Sequence, residues 1–135
     1  MKVIFDTSVA AKWYFNEENS NEAKKLLEDN LRVQNEVIEP YIFLFEMGNI
    51  FLNKKTVDQE AINSAIDRLN RIGINFIDIS FFEIDKIIQF AYSSHLSFYD
   101  ASYVFLAQKL DCEFYTADKK LFNKVKSRKI KIRLL

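Results

Sequence analysis

The sequence predicts an α/β fold built on a mostly parallel sheet. Short strand-like runs alternate along the chain with longer stretches of helical periodicity, the pattern of successive βαβ units joined by right-handed crossovers. Only 2 glycines and 1 proline stand in 135 residues, too few for a turn-rich all-β fold, and 13 phenylalanines supply a bulky aromatic core. A chain of this length with 49% hydrophobic residues makes one domain with a proper core and is short for two, so residues 1–135 are read as a single domain. No repeat, low-complexity segment or linker is visible in it.

The first strand is the apolar run Val3, Ile4, Phe5, which stops abruptly at Asp6. Thr7 or Ser8 starts a short helix to Phe15, and Asn16 to Asn19 breaks it. Ser20 or Asn21 caps a second helix with Ala23, Leu26, Leu27 and Leu31 at helical spacing, and Val37-Ile38 is a weak second strand. Pro40 fits the first turn of a helix that is apolar almost all round from Tyr41 to Asn53 and is expected to be buried. Asp58 opens a helix to about Arg71, Ile74 to Ile79 alternates as a strand, and Ser80 caps a helix to about Ser94. After a loop over His95 to Phe98, a largely apolar helix runs from about Tyr99 to Leu110 and a strand from Glu113 to Thr116. Asp118 begins a last helix to about Lys126, and Ile130 to Leu134 alternates apolar and basic as a final strand.

The net charge is zero but unevenly laid out. Residues 119–135 carry eight basic residues and no acid, against 11 basic and 19 acidic residues ahead of them. That basic segment suits contact with a polyanion, and it equally suits a solvated helix face followed by a lysine-protected edge strand. Cys112 is the only cysteine, which rules out an internal disulfide or a cysteine-cluster zinc site. The apolar run after Met1-Lys2 meets Asp6 at once, so no signal peptide is visible, and no stretch approaches the ~18 apolar residues of a membrane span. The expectation is a soluble cytoplasmic protein without membrane contact.

Four acids need explaining. In open parallel sheets ligands bind beyond the carboxyl ends of the strands, which is where Asp6 and Asp118 fall, although both also suit helix N-caps. Glu46 interrupts an apolar helix, where an unpaired carboxylate is costly, and it shares a polar stripe with Asn49 and Asn53 that points either to a site or to solvent. Asp100 sits in the first turn of its helix, where the macrodipole favours a metal ligand and an ordinary first-turn acid alike. A parallel fold can converge all four on one rim, and acids so gathered repel one another unless a cation neutralises them. All-oxygen ligation favours Mg²⁺ or Mn²⁺ over zinc. His95 is the sole histidine, which excludes a two-histidine ribonuclease mechanism, Ser8 and Ser102 lack triad partners, and Gly48 and Gly73 make no phosphate loop.

Four motifs in this order, Ile4 to Ser8 (IFDTS), Glu46 to Phe51 (EMGNIF), Tyr99 to Ala107 (YDASYVFLA) and Tyr115 to Leu121 (YTADKKL), resemble the PIN-domain ribonucleases, and among them the small VapC-type toxins of toxin-antitoxin pairs. The resemblance spans essentially the whole chain. It implies a three-layer fold with a five-stranded mostly parallel sheet, order 3-2-1-4-5, helices on both faces, and a carboxylate cluster binding Mg²⁺ or Mn²⁺ at one end. Asp6 and Asp100 match the principal metal ligands, Glu46 and Asp118 the remaining acids, and Ser8, Asn49 and Thr116 supporting polar positions. The implied activity is hydrolysis of RNA phosphodiesters, with Lys119 and Lys120 on the RNA, an antitoxin protein as partner and a homodimer as assembly. Three alternatives stand beside it: an RNA-maturation nuclease of the same fold, a catalytically silent binding module, and a phosphotransferase using Asp6 as nucleophile. The last usually wants an acid two residues on, where this chain has Ser8.

Overall fold

A computed structural model of the chain describes residues 1–55 and 57–135. Five strands form one parallel sheet: β1 (Lys2–Phe5), β2 (Glu36–Pro40), β3 (Asn75–Ile77), β4 (Glu113–Thr116) and β5 (Ile132–Leu134), in the order β3-β2-β1-β4-β5. Seven helices separate them among the described residues: α1 (Thr7–Tyr14), α2 (Ser20–Arg32), α3 (Ile42–Asn53), α4 (Gln59–Arg71), α5 (Ile84–Ser94), α6 (Phe98–Leu110) and α7 (Lys119–Val125). With right-handed crossovers, α1 to α4 cover one face and α5 to α7 the other. The predicted α/β class, parallel pairing and strand order all hold.

The core is apolar where the sheet is central. Val3, Ile4 and Phe5 of β1 and Phe114 of β4 are buried, as strands covered on both faces must be. Phe5 lies edge-on to Trp13 at 5.4 Å and stacks on Tyr115 at 5.5 Å, which packs the last turn of α1 against β1 and β4. Tyr103 of α6 stacks on Phe114 at 6.1 Å and is almost wholly buried.

Several local expectations are corrected. Of the caps the sequence allows for α1, Asp6 serves, its carboxylate accepting the Val9 N–H at 3.2 Å, and the helix starts at Thr7 as expected. Asn19, in the left-handed region, precedes α2, while the Ser20 hydroxyl turns back to Phe15 O and Glu17 N and closes the break between the helices. Pro40 is the last residue of β2, paired with Ile77, and starts no helix; a strand end tolerates its missing N–H. β3 and β5 are shorter than the alternation suggested, α6 starts at Phe98 with Ser97 as its cap, and a 3-10 turn at Phe81–Glu83 leads into α5. The largest difference is α3. Only Phe43, Met47 and Phe51, one turn apart, are buried, whereas Phe45 and Leu52 are 74% and 80% exposed. One stripe is all that the sheet and α1 cover, and an apolar sequence cannot say which stripe that is. The helix buried nearly all round is α6.

Candidate active site

The chain leaves β1, passes to β2 and β3 on one side, and returns to β4 on the other side of β1. This makes the carboxyl ends of β1 and β4 the switch point where open α/β sheets bind ligands. Asp6 stands there, with its N–H donated to Tyr115 O of β4 at 3.1 Å. Its side chain is buried. Oδ1 accepts from the Ser8 hydroxyl and the Val9 N–H, and Oδ2 accepts from the Thr116 hydroxyl.

These hydroxyls tie Asp6 to the other strand end. Thr116 Oγ1 accepts the Asp118 N–H at 3.0 Å, and Ser8 Oγ accepts the Ala117 N–H at 2.8 Å. Of the three residues named from sequence as supporting positions, Ser8 and Thr116 therefore touch Asp6 directly, and Asn49 does not. Burial raises the Asp6 carboxyl to about 6, against the lowering effect of its donors, and the charge of Asp100 adds to the rise.

Glu46 is half-buried on α3. Its Oε2 accepts from the Thr7 hydroxyl at 3.2 Å and its Oε1 from the Tyr103 hydroxyl at 2.9 Å, which accounts for a carboxylate in an apolar helix. Burial raises its pKa and Asp100 raises it further. Asn49 and Asn53, the rest of the predicted stripe, lie exposed and make no side-chain hydrogen bond among the described residues. Asp100 is half-buried in the first turn of α6, with its N–H on Ser97 Oγ at 3.0 Å; burial and Asp118 raise its pKa while Lys124 opposes them. Asp118 is exposed and caps α7, accepting from the Lys120 and Leu121 N–H groups at 2.7 and 3.1 Å. Asp6, Glu46, Asp100 and Asp118 thus belong to one electrostatically connected set. It is an open set: among the described residues no three His, Cys, Asp or Glu side chains are gathered tightly enough to hold a metal ion.

In the chemistry of their donors, though not in tight clustering, these acids suit a hard divalent cation. All are carboxylate oxygens, and the raised pKa values of Asp6, Glu46 and Asp100 record repulsion and desolvation that a cation would relieve. Lys119 and Lys120 are exposed directly after Asp118 and form no ion pair among the described residues.

Three polar groups around these acids escape a reading of the sequence. Thr7 and Tyr103 hold Glu46, and their signals were available: one follows Asp6, the other lies one turn beyond Asp100 on its helix. Glu39, by contrast, looks like a solvent-facing residue beside a short apolar run, yet it is fully buried.

The fold is that of a parallel α/β protein with a buried carboxylate, Asp6, at the sheet's switch point. The PIN domain model matches residues 3–127, and the chain belongs to that family, whose members are generally nucleases. No curated protein matches the sequence. Among solved structures, the chain is similar to PAE2754 from Pyrobaculum aerophilum, at 21% identity and a TM-score of 0.66 over 93% of this chain and 89% of that one. It is also similar to VapBC2 from Rickettsia felis bound to a DNA fragment from its promoter, at 14% identity and a TM-score of 0.69 over 99% and 98% of the two chains. A domain of a functionally unknown protein from Methanocaldococcus jannaschii aligns at 19% identity and a TM-score of 0.56, over 99% of this chain and 90% of that one. At these identities the likeness concerns the fold.

Proposed function

We propose that the protein is a Mg²⁺- or Mn²⁺-dependent endoribonuclease and the toxin of a toxin-antitoxin pair, acting in the cytoplasm as a single PIN domain. The observation that supports the reading is that Asp6, Glu46, Asp100 and Asp118, from four separate elements, are linked by charge, with Asp6, Glu46 and Asp100 raised in pKa chiefly by burial and Asp100 acting on Asp6 and Glu46 and Asp118 on Asp100.

In this reading Asp6 and Asp100 are the principal ligands, and Glu46 and Asp118 complete the set. The bound cation supplies Lewis acidity toward a water and the scissile phosphate. Asp6 is held in place by Ser8, Val9 and Thr116, and Oδ2, which accepts only from Thr116, is the oxygen that would be offered to a cation. Glu46, half-buried and held by the Thr7 and Tyr103 hydroxyls, would enter the set as a carboxylate fixed in orientation. The cut leaves a 5'-phosphate and a 3'-hydroxyl. Lys119 and Lys120 offset the negative field of the acids toward the phosphate backbone. The likeness to VapBC2 supports an antitoxin partner. Exposed apolar groups on α3 (Leu44, Phe45, Leu52) and around α5 (Phe81, Phe82, Tyr92) support protein partners, the antitoxin and a second copy of the chain. No helix of the described residues is long and apolar enough to cross a membrane.

The test is cleavage of structured RNA with Mg²⁺ or Mn²⁺, with EDTA and Asp6→Asn as controls. Cleavage that disappears in both controls is expected. Cleavage that survives both contradicts the reading.

A further inference from the structure

Glu39 is an anomaly in this fold. It is a carboxylic acid in the middle strand layer with no exposed surface. Its Oε1 accepts the Phe5 N–H at 2.9 Å, and its Oε2 has no hydrogen-bond partner among the described residues. Burial raises its pKa well above the carboxylate range, and the charges of Asp6 and Glu46 raise it too. A group buried this way costs stability, and a leucine of similar volume would fill the same space without that cost.

Strand pairing shows what the carboxyl does instead. β1 pairs with β2 only at Lys2–Glu36 and Val3–Val37, whereas it stays paired with β4 through Phe5–Tyr115. Beyond Val37, β2 keeps its register with β3 up to Pro40. β1 and β2 therefore part at their carboxyl ends, beyond Val3 and before the chain reaches Asp6. The Glu39 side chain spans the parting and supplies the acceptor that the β2 backbone has ceased to offer the Phe5 N–H. Asp6 is thereby anchored from both sides: its own N–H on Tyr115 O of β4, and the preceding N–H on Glu39 of β2.

We propose that Glu39 is a positioning residue of the acid site, a side-chain substitute for a ladder bond that fixes the end of β1 and so the place of the Asp6 carboxylate. Its contribution is an acceptor oxygen, not a charge. The inference rests on the reading of Asp6 as part of a divalent-cation site, and Mn²⁺ alone is the probe that separates the two. Mn²⁺ affinity is measured by calorimetry for the wild type, Glu39→Gln and Glu39→Leu, together with their thermal midpoints.

Glu39→Gln keeps an acceptor for Phe5 and should bind Mn²⁺ within about threefold of the wild type. Glu39→Leu should stay within a few degrees of the wild-type midpoint yet lose roughly tenfold to a hundredfold in Mn²⁺ affinity, the range for groups that orient metal ligands. Leu binding Mn²⁺ as the wild type does, or Gln losing as much as Leu, overturns the inference. Should Glu39→Leu not fold, the Gln variant and amide hydrogen exchange of wild-type Phe5 decide it. Slow exchange with near-wild-type Gln affinity upholds it, and Phe5 exchange as fast as an open loop, or a tenfold loss in Gln, overturns it. A wild type that binds no Mn²⁺ overturns the reading of the acid site itself.

Discussion

Asp6 performs two tasks with one carboxylate, capping α1 through Val9 and facing the other acids of the site. The double duty has a measurable consequence. A carboxyl raised from 3.8 to about 6 by burial contributes its stability in full below the unfolded value and loses it as pH climbs through the folded one. At about 1.4 kcal/mol per pH unit, Asp6→Asn should gain on the wild type by about 3 kcal/mol between about pH 3.5 and about pH 7.5. Urea unfolding in metal-free buffer at the two pH values checks this; a stability difference that does not change with pH contradicts it. The four acids were legible in the sequence because each breaks a local pattern: two follow strands, one opens a helix, and one interrupts an apolar helix. Glu39 breaks none, since a polar residue beside Val37-Ile38 is what an ordinary strand end looks like. Only the parting of β1 from β2 gives it a role, and that is a property of tertiary pairing.

At the scale of elements, α3 and α6 exchange the roles that apolar content suggested. α6 is central because it lies over β1, β2 and β4, with its small residues Ala101, Ser102 and Ala107 buried. α3 is peripheral: its buried residues are Phe43, Met47 and Phe51, and Glu46 ties it to Thr7 and Tyr103. Met47→Ala should therefore cost about 2–5 kcal/mol, the usual loss for emptying a buried site, while Leu52→Ala on the exposed side of the same helix stays within about 0.5 kcal/mol. Chemical denaturation of both variants checks the contrast, and equal losses would contradict the assigned stripe. Hydrophobic periodicity located every helix but left the strand limits at Ile74 to Ile79 and at Ile130 to Leu134 too generous. Flanking apolar residues serve the core whether or not they join the ladder. Pro40 misled for a related reason: the residue type fits a helix start and a strand end equally, and pairing with Ile77 decides it.

For the whole molecule, the strand order places the end of β1 beside the end of β4, and with them Asp6 and Asp118, while Glu46 and Asp100 come from α3 and α6. Alternation of strands and helices was enough to read the parallel class, while the order came from the resemblance of four motifs and not from periodicity. Charge is also organised globally. Within the basic segment, Lys131 and Arg133 are paired with Asp111 and Glu113, Lys124 donates to His95 O, and Lys126 and Arg128 lie over the Phe122 and Phe90 rings; of the remaining Lys119, Lys120 and Lys129, the first two directly follow Asp118. Replacing both by Glu should weaken RNA binding and lower the slope of log affinity against log salt by roughly 0.7 to 1 per lost contact. An unchanged slope places the RNA elsewhere. The claim on which the account turns is that the acids of four elements make one cation site. Its most direct measurement is a Mn²⁺ titration, followed by electron paramagnetic resonance, of the wild type, Asp6→Asn and Asp100→Asn. Saturable binding in the wild type, weakened roughly tenfold or more by either substitution, is the predicted result. Binding that is absent in the wild type, or untouched by both substitutions, would contradict it.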